Sequence, residues 1–370
     1  MLAPKSDFIG LTEATAHLAT GGQPPMLKSH RDAFERFCAD KANGTAGYTS
    51  HWQIGERAKA SLEILSGLPA RDHAFVGNAS EGIARVISAI EWNAGDNVVV
   101  ADKEYASGRF ALLRLAALGV EVRLVKTVGW YIDPDALLDA CNEHTRLMYV
   151  SQVTSLTGQH FDIASIASVL EARGVTLLVD ASHALGVVPV DGHLADFTVS
   201  SCYKFLCATH MGVLAWNRDK QPNFNPRAVG WASANDVYGG QSYSLHDDAS
   251  RAQLGNPNHL DVYILEVSLR YLLSFGIASI TGHVRRLADK LYSGLDAIGV
   301  ALITPARAAQ RAGNIAFAHP DDATLVREAA KVGILLWDGD GRVRASVHLF
   351  NTDADIERYL EWLKTYTRSD

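Results

Sequence analysis

The chain has 370 residues, 48% apolar and 20% charged, with a formal net charge of −7 at pH 7. That length suits two domains sharing an interface better than a single compact core, and the composition is that of a globular protein. The acidic total argues against a surface for nucleic acid or an anionic membrane, since either needs a basic face.

The N-terminal stretch MLAPKSDFIGLTEATAHLAT has no basic start followed by an apolar run, so no secretory signal is expected. No segment approaches the ~18 uninterrupted apolar residues of a membrane-spanning helix, and a cytoplasmic location is the expectation. Cys38, Cys141, Cys202 and Cys207 show no CxxC spacing. Reduced thiols packed as small apolar residues are expected, with no metal site.

Along the chain, short runs rich in Val, Leu and Ile predict strands over 73–78, 97–102, 120–126, 146–153, 176–182, 197–203 and 213–217. Most are apolar throughout, as in strands covered on both faces. Helix-period segments lie between them at 81–91, 108–118, 134–141 and 163–173, the last followed by Gly174 as a natural C-cap. The alternation predicts an α/β fold with a seven-stranded, mainly parallel sheet and helices on both faces. From 221 to 257 the sequence is rich in Gly, Asn, Pro, Ser and aromatics without a sustained period, and reads as an irregular loop over a site or interface. Helices follow over 260–277 and 281–298. Strands at 301–304, 314–317 and 342–347 then alternate with helices at 322–332 and 352–366, a small α+β domain. The expected division is an arm at 1–30, a large domain at 31–257 and a small domain at 258–370, against which the arm packs.

The sharpest chemical signal is LLVDASHALG followed by DFTVSSCYKFL. Asp180 ends one predicted strand and Lys204 another, so both face the crevice outside the carboxyl ends of a parallel sheet. Alone they describe an ion pair as well as a site. Pyridoxal 5′-phosphate (PLP) needs an acid facing its pyridine nitrogen and a lysine amine for its aldehyde; Asp180 and Lys204 suit those tasks. A partly desolvated lysine also has the lowered pKa that Schiff-base formation wants. The turn GNASEG at 77–82 opens a helix, whose free N–H groups and dipole favour the cofactor phosphate, with Ala79 and Ser80 placed to bind it. Ser80 followed by an acid is equally an ordinary N-cap.

The chain resembles the class V aminotransferases of fold type I PLP enzymes, and within them the isopenicillin N epimerase-like branch that includes β-lyases. The resemblance is carried by GNASEG, VTSLTG at 153–158, VDASHALG at 179–186, CYKFLC at 202–207, and RASVH at 344–348 followed by Asn351 and Thr352, over roughly residues 45–365. It implies an internal aldimine on Lys204 and a Cα carbanion or quinonoid from an amino-acid-like substrate. His183 would lie near the cofactor's phenolic oxygen with Ser155 on the same edge, and Tyr105 would stack on the ring. Ser201 and Tyr203 would reach the phosphate. Arg344 would receive the substrate carboxylate, with Arg342 its rival. Asn256 would approach the phosphate bound to a neighbouring subunit, so a homodimer with its site at the interface is expected. The segment 231–258, too apolar for free solvent and too irregular for a core, points the same way.

Departures are also visible. Tyr203 stands where the family most often has His, His210 falls in a turn that usually carries Gly or Lys, and Gln152 replaces a common His. No cysteine follows Cys207, which disfavours the persulfide route of cysteine desulfurases. An aminotransferase or epimerase leads this reading, a β- or C–S lyase is the alternative, and a non-catalytic binding protein comes last.

Overall fold

The computed structural model describes residues 1–367 apart from 236–237 and 239–241. The seven apolar runs form strands β1 (His73–Val76), β2 (Asn97–Ala101), β3 (Glu121–Val125), β4 (Thr145–Ser151), β5 (Thr176–Asp180), β6 (Phe197–Ser201) and β7 (Gly212–Trp216). They make one sheet in the order β1-β7-β6-β5-β4-β2-β3. Only β7 runs against the rest, antiparallel to both β1 and β6. β2, β6 and β7 are buried along their whole length, while the edge strand β3 is partly exposed.

Alternate side chains of these strands feed two separate cores, the expected outcome of period-two geometry. Val98 and Val100 of β2 share one core with Ile83 and Val86 of α3 (Ala79–Ala89). Val99 between them joins Ile166 and Leu170 of α6 (Ile163–Ala172) on the other face. Helices α1 (His30–Lys41) and α2 (Gly44–Ser66) precede β1. The sequence pattern does not announce them: α2 carries Gly44, Gly47 and Gly55, residues that weaken a helical signal. α4 (Ala106–Leu113) ends earlier than the apolar period suggests and continues to Leu118 as a tighter 3-10 turn. α3 begins at Ala79 because Asn78, not Ser80, is its N-cap, accepting from the Glu81 N–H at 2.9 Å. α5 (Pro134–Asp139) completes the set between the strands.

Beyond the sheet, α7 (His259–Phe275) and α8 (Ile277–Ile298) meet at Gly276, whose φ of +78° makes the bend available. Among the described residues no single helix is long and apolar enough to cross a membrane; α7 and α8 pass only as a pair bent by 79°. A second, antiparallel sheet orders β8 (Ala301–Leu302), β9 (Asn314–Ala318) and β10 (Arg342–Ser346) side by side. α9 (Asp322–Lys331) connects β9 to β10, and α10 (Asp353–Tyr366) follows β10. The N-terminal segment is tied to this region: Ala16–His17 pairs in parallel with Ile334–Leu335, and the Ser346 N–H donates to the Leu18 carbonyl at 2.6 Å. Between β7 and α7 the described chain has short turns and one two-residue strand pair, Ala234–Asn235 with Ser244–Leu245.

Candidate active site

β5 ends at Asp180 and β6 at Ser201, with Lys204 three residues further on. This is the carboxyl edge of the parallel strands, where backbone groups leave their ladders and ligands bind. A cavity of about 550 Å³ opens there, and Tyr105, Ser155, His183, Tyr203, Lys204 and Arg344 are in its wall. The Lys204 ammonium lies 5.4 Å from the centroid of the Tyr105 ring and 5.9 Å from that of Tyr203. Burial is the main influence on this lysine and brings its pKa down to about 8; Asp180 opposes the shift and Arg344 reinforces it. At pH 7 about a tenth of such an amine is neutral, far more than of an ordinary lysine.

Asp180 is buried and does not line the cavity. Its Oδ1 accepts from the Ser182 N–H at 2.8 Å, and its Oδ2 from the Tyr149 hydroxyl at 3.1 Å. Strand register sets Asp180 opposite Ser151 on β4. Ser151 in turn is held by Glu104, which accepts from its N–H and its hydroxyl, each at 2.7 Å, and from the Tyr105 N–H at 3.0 Å. Burial pushes the Glu104 carboxyl pKa up, against those hydrogen bonds. Glu104 thereby ties the end of β4 to the segment that presents Tyr105.

His183 is buried, and its Nδ1 is 3.0 Å from the Asn314 side-chain amide. Its pKa is held well below the ordinary value, first by burial and then by the charges of Lys204, Arg344 and Arg342. The ring is neutral near physiological pH. Arg344 donates to the Ser155 carbonyl at 2.6 Å, with its guanidinium 5.8 Å from the Trp337 ring centroid. Arg342, two residues earlier on β10 and on the same face, also lines the cavity and reaches the same carbonyl at 3.5 Å. The N-terminal segment closes one side with Gly21, Gly22 and Gln23.

Ala79, Ser80, Ser201 and Asn256 lie outside the wall, and Tyr203 within it has a ring partner of its own. Ala79 and Ser80 open α3 outside the wall of this cavity. Ser80 meets the tyrosine-bearing segment through Ser107, hydroxyl to hydroxyl at 2.6 Å. The first amides of α3 have no acceptor within the helix, which leaves them to a capping group or an anion. Ser201 is buried, and its backbone N–H donates to the Ser182 hydroxyl oxygen at 2.9 Å. Tyr203 stacks on His210 with centroids 4.6 Å apart. Asn256 is exposed and sits apart from the cavity, accepting from the Tyr48 hydroxyl at 2.9 Å. Glu104, Tyr149 and Asn314 are absent from the sequence reading. Only Glu104 carried a local signal, as the acid directly before Tyr105.

The profile of the aminotransferase class-V family matches residues 24–359. The chain belongs to that family. It is 27% identical to the "Probable cysteine desulfurase" of Methanothermobacter thermautotrophicus, covering 92% of this chain and 90% of that protein. It is 26% identical to the isopenicillin N epimerase of Streptomyces clavuligerus over 96% of each. In fold it is similar to the apo cysteine desulfurase of Thermococcus onnurineus NA1, with a TM-score of 0.90, 20% identity and coverage of 100% and 99%. It is also similar to the cystine C–S lyase C-DES in complex with cysteine persulfide, with a TM-score of 0.89, 19% identity and coverage of 96% and 99%.

As a class V family member the chain is a PLP-dependent enzyme. The residues present fit that group. A buried lysine with a lowered pKa faces the cavity, a buried carboxylate lies close enough to influence it, and a neutral histidine and a tyrosine ring stand beside it. Buried guanidinium nitrogens of Arg342 and Arg344 lack hydrogen-bond acceptors, as expected of a site built for an anionic ligand.

Proposed function

We propose that the protein is a PLP-dependent lyase that removes a sulfur-bearing group from Cβ of an α-amino acid, without relaying that sulfur to a cysteine of its own. The observation that carries this reading is the cavity itself: it combines Lys204 with an arginine lining, and none of the four cysteines is in its wall. Cys141, Cys202 and Cys207 are buried and Cys38 lies on α1. Burial raises the Cys207 thiol pKa to about 12 and moves Cys202 further in the same direction, so neither is a thiolate near neutrality. The relatives named as desulfurases and a C–S lyase support sulfur chemistry; the cysteine placement supports elimination over persulfide transfer.

When bound, PLP supplies the electron sink that makes the Cα proton removable. The residues supply the rest. Arg344 binds the α-carboxylate and fixes the Cα–H bond relative to Lys204. The Lys204 amine takes the Cα proton. Asp180 holds a proton on the ring nitrogen through its carboxylate, and Tyr149 and Ser182 hold Asp180 still. His183, kept neutral and oriented by Asn314, donates or accepts a hydrogen bond at the ring edge without adding charge. Ser80, Ala79, Ser201 and Tyr203 would hold the phosphate. The net reaction is thioether amino acid plus water giving thiol, pyruvate and ammonium: the Cβ–S bond breaks, the thiolate takes a proton, and no oxidant is needed.

We also infer a homodimer, in which Asn256 reaches the site of the partner subunit. Its exposure and its separation from the cavity of its own chain support that arrangement.

The test is to mix holoenzyme with L-cystine, S-alkyl-cysteines, L-alanine and their D-isomers, and to quantify three products. Pyruvate with equimolar ammonia and thiol is expected. Accumulation of the pyridoxamine form with a 2-oxo acid, or inversion at Cα without loss of sulfur, would replace elimination with transamination or epimerisation.

A further inference from the structure

Three arginines lie in the wall of the cavity: Arg109, whose Nε donates to the Glu104 carbonyl at 2.9 Å, and the pair Arg342 and Arg344. Arg342 and Arg344 stand at alternate positions of β10 and therefore on the same face, and they are 3% and 2% exposed. Both turn to one acceptor, the Ser155 carbonyl, at 3.5 and 2.6 Å. A single carbonyl oxygen cannot satisfy two guanidiniums with five donors each. Arg342 Nε and Nη1 and Arg344 Nε are left buried without an acceptor.

Nearby acids lend Arg342 charge but accept no hydrogen bond from its guanidinium. Asp340 is 3.9 Å from Arg342, beyond hydrogen-bond range, and its side chain is 74% exposed. Asp322 uses its carboxylate on the Gly339 and Arg342 backbone N–H groups, and Asp338 is a further carboxylate in the Arg342 surroundings. Burying like charges side by side is costly unless anions answer them. The cofactor phosphate does not fill that role, since the reading above assigns it to the opening of α3 and the Lys204 strand. One carboxylate on Arg344 leaves the Arg342 Nε and Nη1 donors without an acceptor.

We propose that Arg342 is a specificity residue that binds a second anionic group of the substrate, so that the enzyme takes α-amino acids carrying a carboxylate beyond Cβ. This rests on the assignment of Arg344 to the α-carboxylate. In a thioether substrate the second carboxylate belongs to the departing thiol, as in S-carboxymethyl-L-cysteine. Trp130 and Trp337 also line the cavity and provide apolar surface for the chain between the two anions.

The experiment uses holoenzyme and two matched pairs. S-carboxymethyl-L-cysteine and S-methyl-L-cysteine differ at the distal carboxylate and report through kcat/KM. Glutarate and butyrate differ likewise and report binding through the visible absorbance of the cofactor, independent of turnover. Wild type is expected to favour the dianionic member of each pair. Arg342→Gln is expected to reduce that preference about 10- to 100-fold, the loss of one charge-assisted contact, and Arg342→Lys to restore part of it. Arg344→Gln should weaken both members together. A wild-type preference for the methyl compound and butyrate overturns the proposal without any variant. An equal loss of both members in Arg342→Gln also overturns it, by giving both arginines to one carboxylate. If Arg344→Gln weakens neither member, the α-carboxylate assignment fails instead.

Discussion

The Tyr149 hydroxyl donates to Oδ2 of Asp180 at 3.1 Å, from the neighbouring strand and wholly out of solvent. Burial and the charges of Asp180 and Glu104 raise the Tyr149 pKa well above its ordinary value, so this hydroxyl keeps its proton and remains a donor. Asp180→Asn is expected to retain PLP yet lose about 10²- to 10⁴-fold in turnover, because an amide does not hold a proton on the ring nitrogen. Tyr149→Phe should cost less, about tenfold, since Asp180 keeps its charge and its Ser182 contact. Wild-type turnover in Asp180→Asn with full cofactor occupancy would remove Asp180 from the role.

Lys204→Ala should abolish covalent cofactor attachment, and borohydride reduction with peptide mapping should label Lys204 and no other lysine. The lowered pKa gives a pH signature. Only the neutral amine attacks the aldehyde, so PLP capture by apoprotein should rise through a midpoint near pH 8 and level off about a unit above it. An unperturbed lysine would keep gaining up to its ordinary pKa. Continued increase above pH 9 would show that Lys204 is not desolvated.

A Cβ placed on Gly108 would lie 2.2 Å from the Tyr149 ring, so α4 passes over that ring only because residue 108 has no side chain. Gly108→Ala should destabilise by about 1–3 kcal/mol through overpacking and lower cofactor occupancy by displacing Tyr105 or Tyr149. Gly282 in α8 meets nothing within 4 Å, and Gly282→Ala should be neutral or stabilising by up to about 1 kcal/mol. Denaturant midpoints and bound-PLP absorbance measure both. Equal behaviour of the two variants would contradict the close approach at Gly108.

Acid should unfold the protein well above the usual carboxylate range. His17, His30, His73 and His348 are buried, and desolvation lowers each pKa to about 4. Between about pH 6.5 and 4 the unfolded chain binds protons that the folded chain refuses. Stability therefore falls as pH falls through that window, by up to about 1.4 kcal/mol per pH unit for each histidine. Thermal midpoints measured from pH 7.5 to 5 should drop steadily, and His348→Gln should flatten the slope. A pH-independent midpoint would contradict these burials.

Mixing inactive Lys204→Ala protein with an inactive Asn256→Ala variant should restore activity if Asn256 acts across a subunit interface, because mixed dimers then contain one intact site. No restoration, or a fully active monomer in sedimentation, would return Asn256 to its own chain.

Local pattern carries the sheet and the positions of Asp180 and Lys204 at its edge. The seven apolar runs were legible because a strand covered on both faces needs apolar residues at every position. Asp180 and Lys204 were legible because strand ends at one sheet edge converge whatever the loops do. Helices α1 and α2 were not, since three glycines dilute the helical signal of α2 and packing against α7 stabilises it instead. The partners that tune the site were also hidden. Asn314 meets His183 from 131 residues away, and Glu104 meets Ser151 from 47; such pairs follow from packing and leave no period in the sequence. The sequence alone offered Arg342 and Arg344 as rivals for one carboxylate. Only the folded β10 showed both guanidiniums on one face against a single carbonyl, with buried donors left over, because burial removes the water that would otherwise have satisfied them.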